Sequence, residues 1–389
     1  MAVSQQQPLR WVGTTTMSEQ YDVIIVGGGY AGMCCGLKLK GKRVLLIEAR
    51  KEIARKHRGC QCSLYPIGET FTVDGADITF HQNNITVQNA LRATLTHLEF
   101  ASGGHKLTST VSNPMPIIDE AKIKGALENR CRENGVDIIT GTKVTSVDTA
   151  GQRMSVYAGK KYEADYLVGA DGAHSLVARQ LPLTRRKVGN FMEMEVEAER
   201  MDIPPNGFYA EMRNIAVGLY AQPYGEGYML GVFQGMGLNG KRIDLKGYLE
   251  ESLRKLKGEG ITRRYGCSMP IHLSASSSYH RNIIMAGDSV ASFSMITITG
   301  ALLMGFLAGE AVLNHMDGVS SAFEAYDRKW RKILQQGSMD RMRYLFFLLK
   351  RLNEKRMPRL VRALEGPDLA SVGTGYYLKR IPGIIGAFL

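Results

Sequence analysis

Cysteine is sparse and irregular in this chain, with six in 389 residues at 34, 35, 60, 62, 131 and 267. A disulfide framework is excluded, and a reducing compartment such as the cytoplasm is the expected setting. Residues 1–16 lack the apolar run of a secretory signal and are read as a disordered leader. No basic patch interleaved with aromatics and no nucleic-acid motif occurs, so the formal charge of +12 does not point to DNA or RNA. The basic residues concentrate towards the C-terminus, which suits an anionic membrane surface or an acidic ligand. His57, Cys60 and Cys62 share one short loop without a distant partner pair, so no metal is expected. A single uncharged run, Ser289–Gly309, has the length of a membrane span, yet the strand-like run and Gly-Asp before it favour a buried helix. The 44% hydrophobic content is that of a soluble globular protein, and the length allows two to three packed units.

Against these absences stands YDVIIVGGGYAGMCCGLKLKGKRVLLIE, residues 21–48. Asp22–Val26 is a short β-branched run, predicted as a strand buried on both faces, and Gly27, Gly29 and Gly32 follow it directly. Gly27 permits a tight turn, Gly29 lets a backbone approach a pyrophosphate, and Gly32 lets the next helix pack on the strand. Amides at that helix N-terminus favour a diphosphate without any basic side chain. Val44–Ile47 predicts the next strand, and Glu48 at its end can accept both hydroxyl hydrogens of an adenosine ribose. Residues 21–48 therefore read as a dinucleotide cradle. The motif alone does not separate NAD from FAD.

Further along, 70–112 shows short alternating runs and predicts strands of a second layer. Pro116–Asn134 predicts a helix capped by Asp119, with Ile123, Ala126, Leu127, Arg130 and Cys131 on its buried face. Val136–Ile139 and Lys143–Val147 predict two strands, and Tyr166–Val168 a third that runs into Asp171-Gly172 with a helix starting near Ser175. From Asn190 to Ile271 the period becomes two, predicting an antiparallel sheet interrupted by a helix over Leu245–Leu256. Ile283–Ala286 predicts a buried strand ending in Gly287-Asp288. The tail from 320 is basic and reads as helical to about 365, with basic and apolar residues alternating as in an interfacial helix.

Gly27/Gly29/Gly32 with Glu48, then Asp171-Gly172, then Gly287-Asp288 resemble, in this order, the glutathione-reductase-type FAD fold of flavin hydroxylases and the geranylgeranyl reductase family. The resemblance covers roughly residues 21–315. A Cys-containing loop after Glu48, the PYGEGY turn at 223–228 and the helical C-terminal extension make archaeal geranylgeranyl reductase the nearer likeness. It implies an α/β protein with a Rossmann-like FAD-binding domain on a parallel sheet (17–75, 113–185 and 276–320). An antiparallel-sheet substrate domain (76–112 and 186–275) and C-terminal helices (321–389) complete the expectation.

By the same resemblance Ala31 lies at the pyrophosphate, Val144 at the adenine, and Cys60 and Gln61 near the isoalloxazine. Asp288 holds the ribityl chain, and Gly300 and Ala301 face the flavin ring. Asp171 and Gly172 touch the pyrophosphate and the reducing nicotinamide. Glu120 stands where the family places an FAD-contacting arginine, and Ser294-Met295 with Ile298-Thr299 replaces its Asn-Pro and first glycine. The implied cofactor is FAD, with NADPH or ferredoxin as reductant. The implied reaction is reduction of C=C bonds in isoprenoid chains of membrane lipids, with an isoprenoid lipid or other apolar molecule as substrate. Cys60 and Cys62 are the candidate catalytic thiols, beside Tyr65, Tyr224 and Tyr228 as alternative proton donors. Two rivals stay open: an FAD-dependent monooxygenase acting on an aromatic or polyketide substrate, and a flavin- or lipid-binding protein without turnover. Peripheral contact with the inner face of the membrane through the basic C-terminal helices is expected.

Overall fold

The computed structural model describes residues 19–55, 62–65, 67, 70–151, 153–214, 216–236, 242–292, 297–334, 352–366, 368 and 379. In chain order the elements are β1 (Glu19–Val26), α1 (Tyr30–Lys38), β2 (Val44–Ile47), β3 (Phe71–Asp74), β4 (Asp77–Phe80), β5 (Ile85–Val87), β6 (Leu91–Ser102) and β7 (His105–Ile118). Next come α2 (Glu120–Glu133), β8 (Val136–Ile139), β9 (Ser146–Asp148), β10 (Met154–Ala158), β11 (Lys160–Gly169), α3 (Leu176–Gln180), β12 (Lys187–Arg200) and β13 (Gly207–Asn214). They continue as β14 (Val217–Tyr224), β15 (Gly227–Met236), α4 (Leu245–Lys255), β16 (Glu259–His272), β17 (Tyr279–His280) and β18 (Ile283–Met285). Last are α5 (Ile298–Met316), α6 (Ala322–Ile333) and α7 (Met357–Leu364).

β18, β11, β1, β2 and β8 form the parallel core of an eight-stranded sheet. Its central strands are continuous apolar runs because helices cover both faces. The register brings the strand ends level. Val26 lies opposite Ile47 and Gly169, and Gly169 opposite Met285, so four strands end along one line. Gly27, Glu48, Asp171 and Gly287, each just past such an end, are thereby gathered at the carboxyl edge of the sheet, where open α/β sheets bind ligands.

α1 is buried from Tyr30 to Leu37, between the sheet and α5. α5 is long and apolar enough to cross a membrane, but two-thirds of it is buried in the protein, so it acts as a core helix. It lies close on α1 because a Cβ at Gly305 would stand 2.1 Å from the Ala31 carbonyl oxygen. α6 docks through the fully buried Trp330, whose Nε1 donates to Ser278 Oγ at 3.1 Å. Burying a side chain of that size contributes about 2–3 kcal/mol.

The second sheet has the order β16-β12-β15-β14-β13-β6-β7. One face packs on α4 through Val196, Leu219, Leu230, Val232 and Leu249. Phe208, Tyr220 and Met229, on the other face, join the main core. The expected antiparallel pairing holds except between β13 and β6, which run parallel. β3, β4 and β5 form a separate small sheet.

Several boundaries differ from expectation. The helix predicted from Pro116 begins at Glu120. Residues up to Ile118 complete β7, held by pairing of Thr94 with Pro116 and of Leu91 with Ile118, while Asp119 caps α2 by accepting from Lys122 N at 3.0 Å. The buried face of α2 carries Glu120, Ile123, Lys124, Leu127 and Cys131, with Ala126 partly buried beside them; Arg130 is exposed instead, and a charged pair joins the face. The strand predicted over Lys143–Val147 reduces to β9, and residues 142–145 turn to another role. Residues 1–16, His57 and most of the basic tail before α7 lie outside the described residues.

Candidate functional site

A cleft of about 790 Å³ opens along the carboxyl edge of the parallel sheet, within the size range of cofactor sites. Gly27, Gly29, Ala31, Glu48, Val144, Asp171, Gly172, Gly287, Asp288 and Ala301 all line it. Ten of the residues singled out in the sequence thus meet, although they span 27 to 301.

Each wall is built by local chemistry. The turn from β1 to α1 continues the ladder through Gly27 N to Ile47 O at 2.8 Å and Ala170 N to Val26 O at 2.8 Å. Gly32 does not line the cleft; its hydrogen stands against the Gly27 carbonyl, where a Cβ would come to 1.9 Å. Gly29 is the N-cap of α1 and carries no side-chain cap, so the first amides of that helix face the cleft unscreened. Glu48, buried, accepts from Gly28 N at 2.7 Å through one carboxylate oxygen and from Arg50 N at 2.8 Å through the other. Each oxygen keeps a further lone pair.

Next to Gly27, Asp171 Oδ2 accepts from Leu176 N at 2.6 Å and Val177 N at 3.2 Å, while Ser175 caps α3 through Ala178 N at 2.9 Å. Arg185 fastens the two glycine turns together. Its guanidinium donates to Ser289 O and to Ala173 O, both at 2.6 Å, and contacts His272 Nδ1 at 3.2 Å. Burial pulls Arg185 below its ordinary value, and Asp171 and Asp288 oppose the shift.

Burial, and then Arg185, Lys187 and His174, push the His272 imidazole down to about 4. The folded protein therefore holds His272 neutral, with Nδ1 accepting from Arg185. An unfolded histidine near 6.5 takes up a proton that the native one refuses, so this contribution is complete above pH 6.5 and is lost as pH falls towards 4. We expect the thermal midpoint to drop across that window and His272→Gln to make the drop shallower, as read by differential scanning fluorimetry. An equally steep profile in the variant would reject the assignment.

Not every expected residue reaches the cleft. Cys62 is fully buried with φ +52°, and its carbonyl accepts from Ile118 N at 2.8 Å, so backbone pairing turns its thiol into the core and away from the cleft lining. Gly300 sits in the first turn of α5, where its N–H reaches Thr297 Oγ1 at 3.4 Å, and its neighbour Ala301 does the lining. Cys60, Gln61, Ser294 and Met295 lie outside the described residues. Among the described residues no cluster of His, Cys, Asp and Glu is arranged to hold a metal. Residues not anticipated include Arg50, Thr142, Lys143, His174 and Lys124. Lys124 carried a signal, a lysine one helical turn after Glu120 beside the apolar Ile123.

The donor set suits a hydroxyl-rich dinucleotide. Glu120 Oε2 and Asp171 Oδ1 are buried and, among the described residues, have no hydrogen-bond partner. Two orphaned acceptors in one cleft call for hydroxyl donors, and open amides at a helix N-terminus call for phosphate.

Comparison with known proteins agrees. The chain is 23% identical over 381 residues to digeranylgeranylglycerophospholipid reductase 2 of Methanothermobacter thermautotrophicus, covering 91% of this chain and 94% of that protein. It is 29% identical over 212 residues to aklavinone 12-hydroxylase of Streptomyces peucetius, covering 48% and 43%. In fold it is similar to a geranylgeranyl bacteriochlorophyll reductase-like protein of Thermoplasma acidophilum, with a TM-score of 0.75, 17% identity and coverage of 95% and 98%. The FAD binding domain family matches residues 20–233, more than half the chain, and the chain belongs to that family as an FAD-dependent oxidoreductase.

Proposed function

We propose that the protein is a geranylgeranyl reductase-like enzyme that reduces isolated C=C bonds in isoprenoid chains of membrane lipids. The observation that carries this reading is the extent of the likeness: similarity to the archaeal lipid reductase runs along nearly the whole of both chains, whereas similarity to the hydroxylase covers less than half of either. Reduced FAD, when bound, supplies a hydride. The residues proposed to hold it are Gly27, Gly29, Ala31 and Asp171-Gly172 at the diphosphate, Glu48 at the ribose, Val144 at the adenine and Asp288 at the ribityl chain. Ala301 and the first turn of α5 are proposed to face the flavin ring.

An isolated alkene is a poor electrophile, so proton delivery must accompany hydride transfer and the site must exclude water. The main-core face of the second sheet, where Phe208 and Met229 flank Tyr220 hydrogen-bonded to the buried Glu193 and Glu195, is proposed as a wall of the substrate site. Tyr65 is proposed as a proton donor; its backbone N–H donates to Thr299 Oγ1 at 3.0 Å, which puts the residue beside the start of α5. The exposed Lys355, Arg359 and Arg362 at α7 are proposed to meet an anionic membrane surface from the cytoplasmic side. NADPH and ferredoxin both remain candidate reductants.

Incubation of purified protein with reduced FAD and a geranylgeranylated phospholipid tests the proposal. Mass spectrometry is expected to show a gain of about two mass units per double bond reduced. No gain, together with substrate-dependent oxygen uptake on an aromatic polyketide, would instead favour the monooxygenase reading that the hydroxylase likeness and Asp171-Gly172 support.

A further inference from the structure

The cleft contains a charged pair that a helix has no reason to bury for its own sake. Glu120 and Lys124 stand one turn apart on α2, with Oε1 and Nζ 2.5 Å apart and side chains only 4% and 8% exposed. Exposed pairs at this spacing add a few tenths of a kcal/mol, and burial makes them costly unless their remaining valences are filled. Here one stays open. Glu120 Oε2 is buried and, among the described residues, has no hydrogen-bond partner. The ammonium has three donors, and Glu120 is its ion-pair partner among the described residues. Both residues line the same cleft as Gly29, and Lys124 Nζ lies 5.5 Å from the ring centroid of Tyr30, the first residue of α1. The pair is therefore next to the helix N-terminus that offers its amides to a diphosphate.

We propose that Lys124 is the cation facing the FAD diphosphate, and that Glu120 both orients it and accepts a hydroxyl hydrogen from the flavin half of the cofactor. A carboxylate at position 120 alone would repel a diphosphate. Lys124, supplied from the next turn, restores the local balance of charge while leaving one carboxylate oxygen for a neutral donor. Glu48, which holds Gly28 N, is the residue proposed for the adenosine ribose, and this leaves the flavin-side hydroxyls to Glu120. The inference rests on FAD occupying the cleft and not on the identity of the substrate.

Full-length apo-protein titrated with FAD by flavin fluorescence, and with ADP by calorimetry, gives the test. Because Lys124→Met strands a buried carboxylate, the neutral double variant Glu120→Gln/Lys124→Met accompanies it, and circular dichroism verifies folding. The double variant is expected to bind both FAD and ADP about tenfold or more weakly, with a shallower salt dependence, as loss of a charge-assisted contact implies. Glu120→Ala is expected to weaken FAD by about tenfold and to leave ADP as tight as before or tighter. Folded variants that bind both ligands within twofold of the wild type would overturn the proposal. Wild-type protein that binds neither would instead overturn the reading of the cleft.

Discussion

Gly29→Ala is expected to leave the apo-protein's thermal midpoint within about 2 °C of wild type while weakening FAD by about 10²–10⁴-fold. At this N-cap φ is −77° and ψ −175°, a conformation open to any residue, and a Cβ there would meet nothing within 4 Å. The protein has room for the methyl, but that is the room proposed for the approaching phosphate. Two charge-assisted bonds to the first amides of α1, at about 1.5–3 kcal/mol each, account for the predicted range. Gly32→Ala is the contrasting case. Its Cβ would press to 1.9 Å from the Gly27 carbonyl oxygen, so the turn itself must move. Stability and cofactor are then lost together, with a midpoint lower by about 5 °C or more. Scanning fluorimetry on apo-protein beside fluorescence titration separates the two. A Gly29→Ala protein that binds FAD as tightly as wild type would remove the diphosphate from this turn.

That contrast also marks what could be read before the fold was known. β1 and β2 were legible because strands buried on both faces are unbroken apolar runs, and the glycines were legible because turn chemistry is local. α2 was misread on its most consequential face. A glutamate and a lysine at helical spacing normally denote solvent, and only the cleft beside them gives the pair a reason to be buried. Pro116 imitated a helix start until β6 claimed it as a strand partner. The parallel pairing of β13 with β6 was invisible, since alternation states which face is buried and not which way the neighbour runs. The resemblance made Cys62 a candidate catalytic thiol, but thiol chemistry depends on surroundings in space, and with its carbonyl bonded to Ile118 N the residue lies in the core. The link from Arg185 to His272, 87 residues apart, had no sequence signal of any kind.

Glu48→Gln is the smallest change with the second-largest expected effect. Both oxygens of Glu48 accept from backbone amides, Gly28 N and Arg50 N, in a buried position. A glutamine has nearly the same shape but replaces one acceptor with a donor, so its NH₂ must face one of those two N–H groups. Turned with its NH₂ towards the exposed Arg50, it keeps the buried Gly28 N–H and gives up the other bond, at about 0.5–1.5 kcal/mol; turned the other way it strands the Gly28 N–H, at about 1–3 kcal/mol. The apo-protein should therefore be less stable, in contrast with Gly29→Ala. Binding suffers as well, because the carboxylate that remains for the two ribose hydroxyls becomes a single carbonyl, and FAD is expected to weaken by about 100-fold. ADP carries the same ribose, so it should weaken in parallel with FAD. This parallel loss distinguishes Glu48 from Glu120, whose removal is expected to spare ADP. Calorimetric titration of ADP into both variants decides the point: unchanged ADP affinity in Glu48→Gln would mean that the ribose lies elsewhere and that the cleft is occupied in the opposite direction.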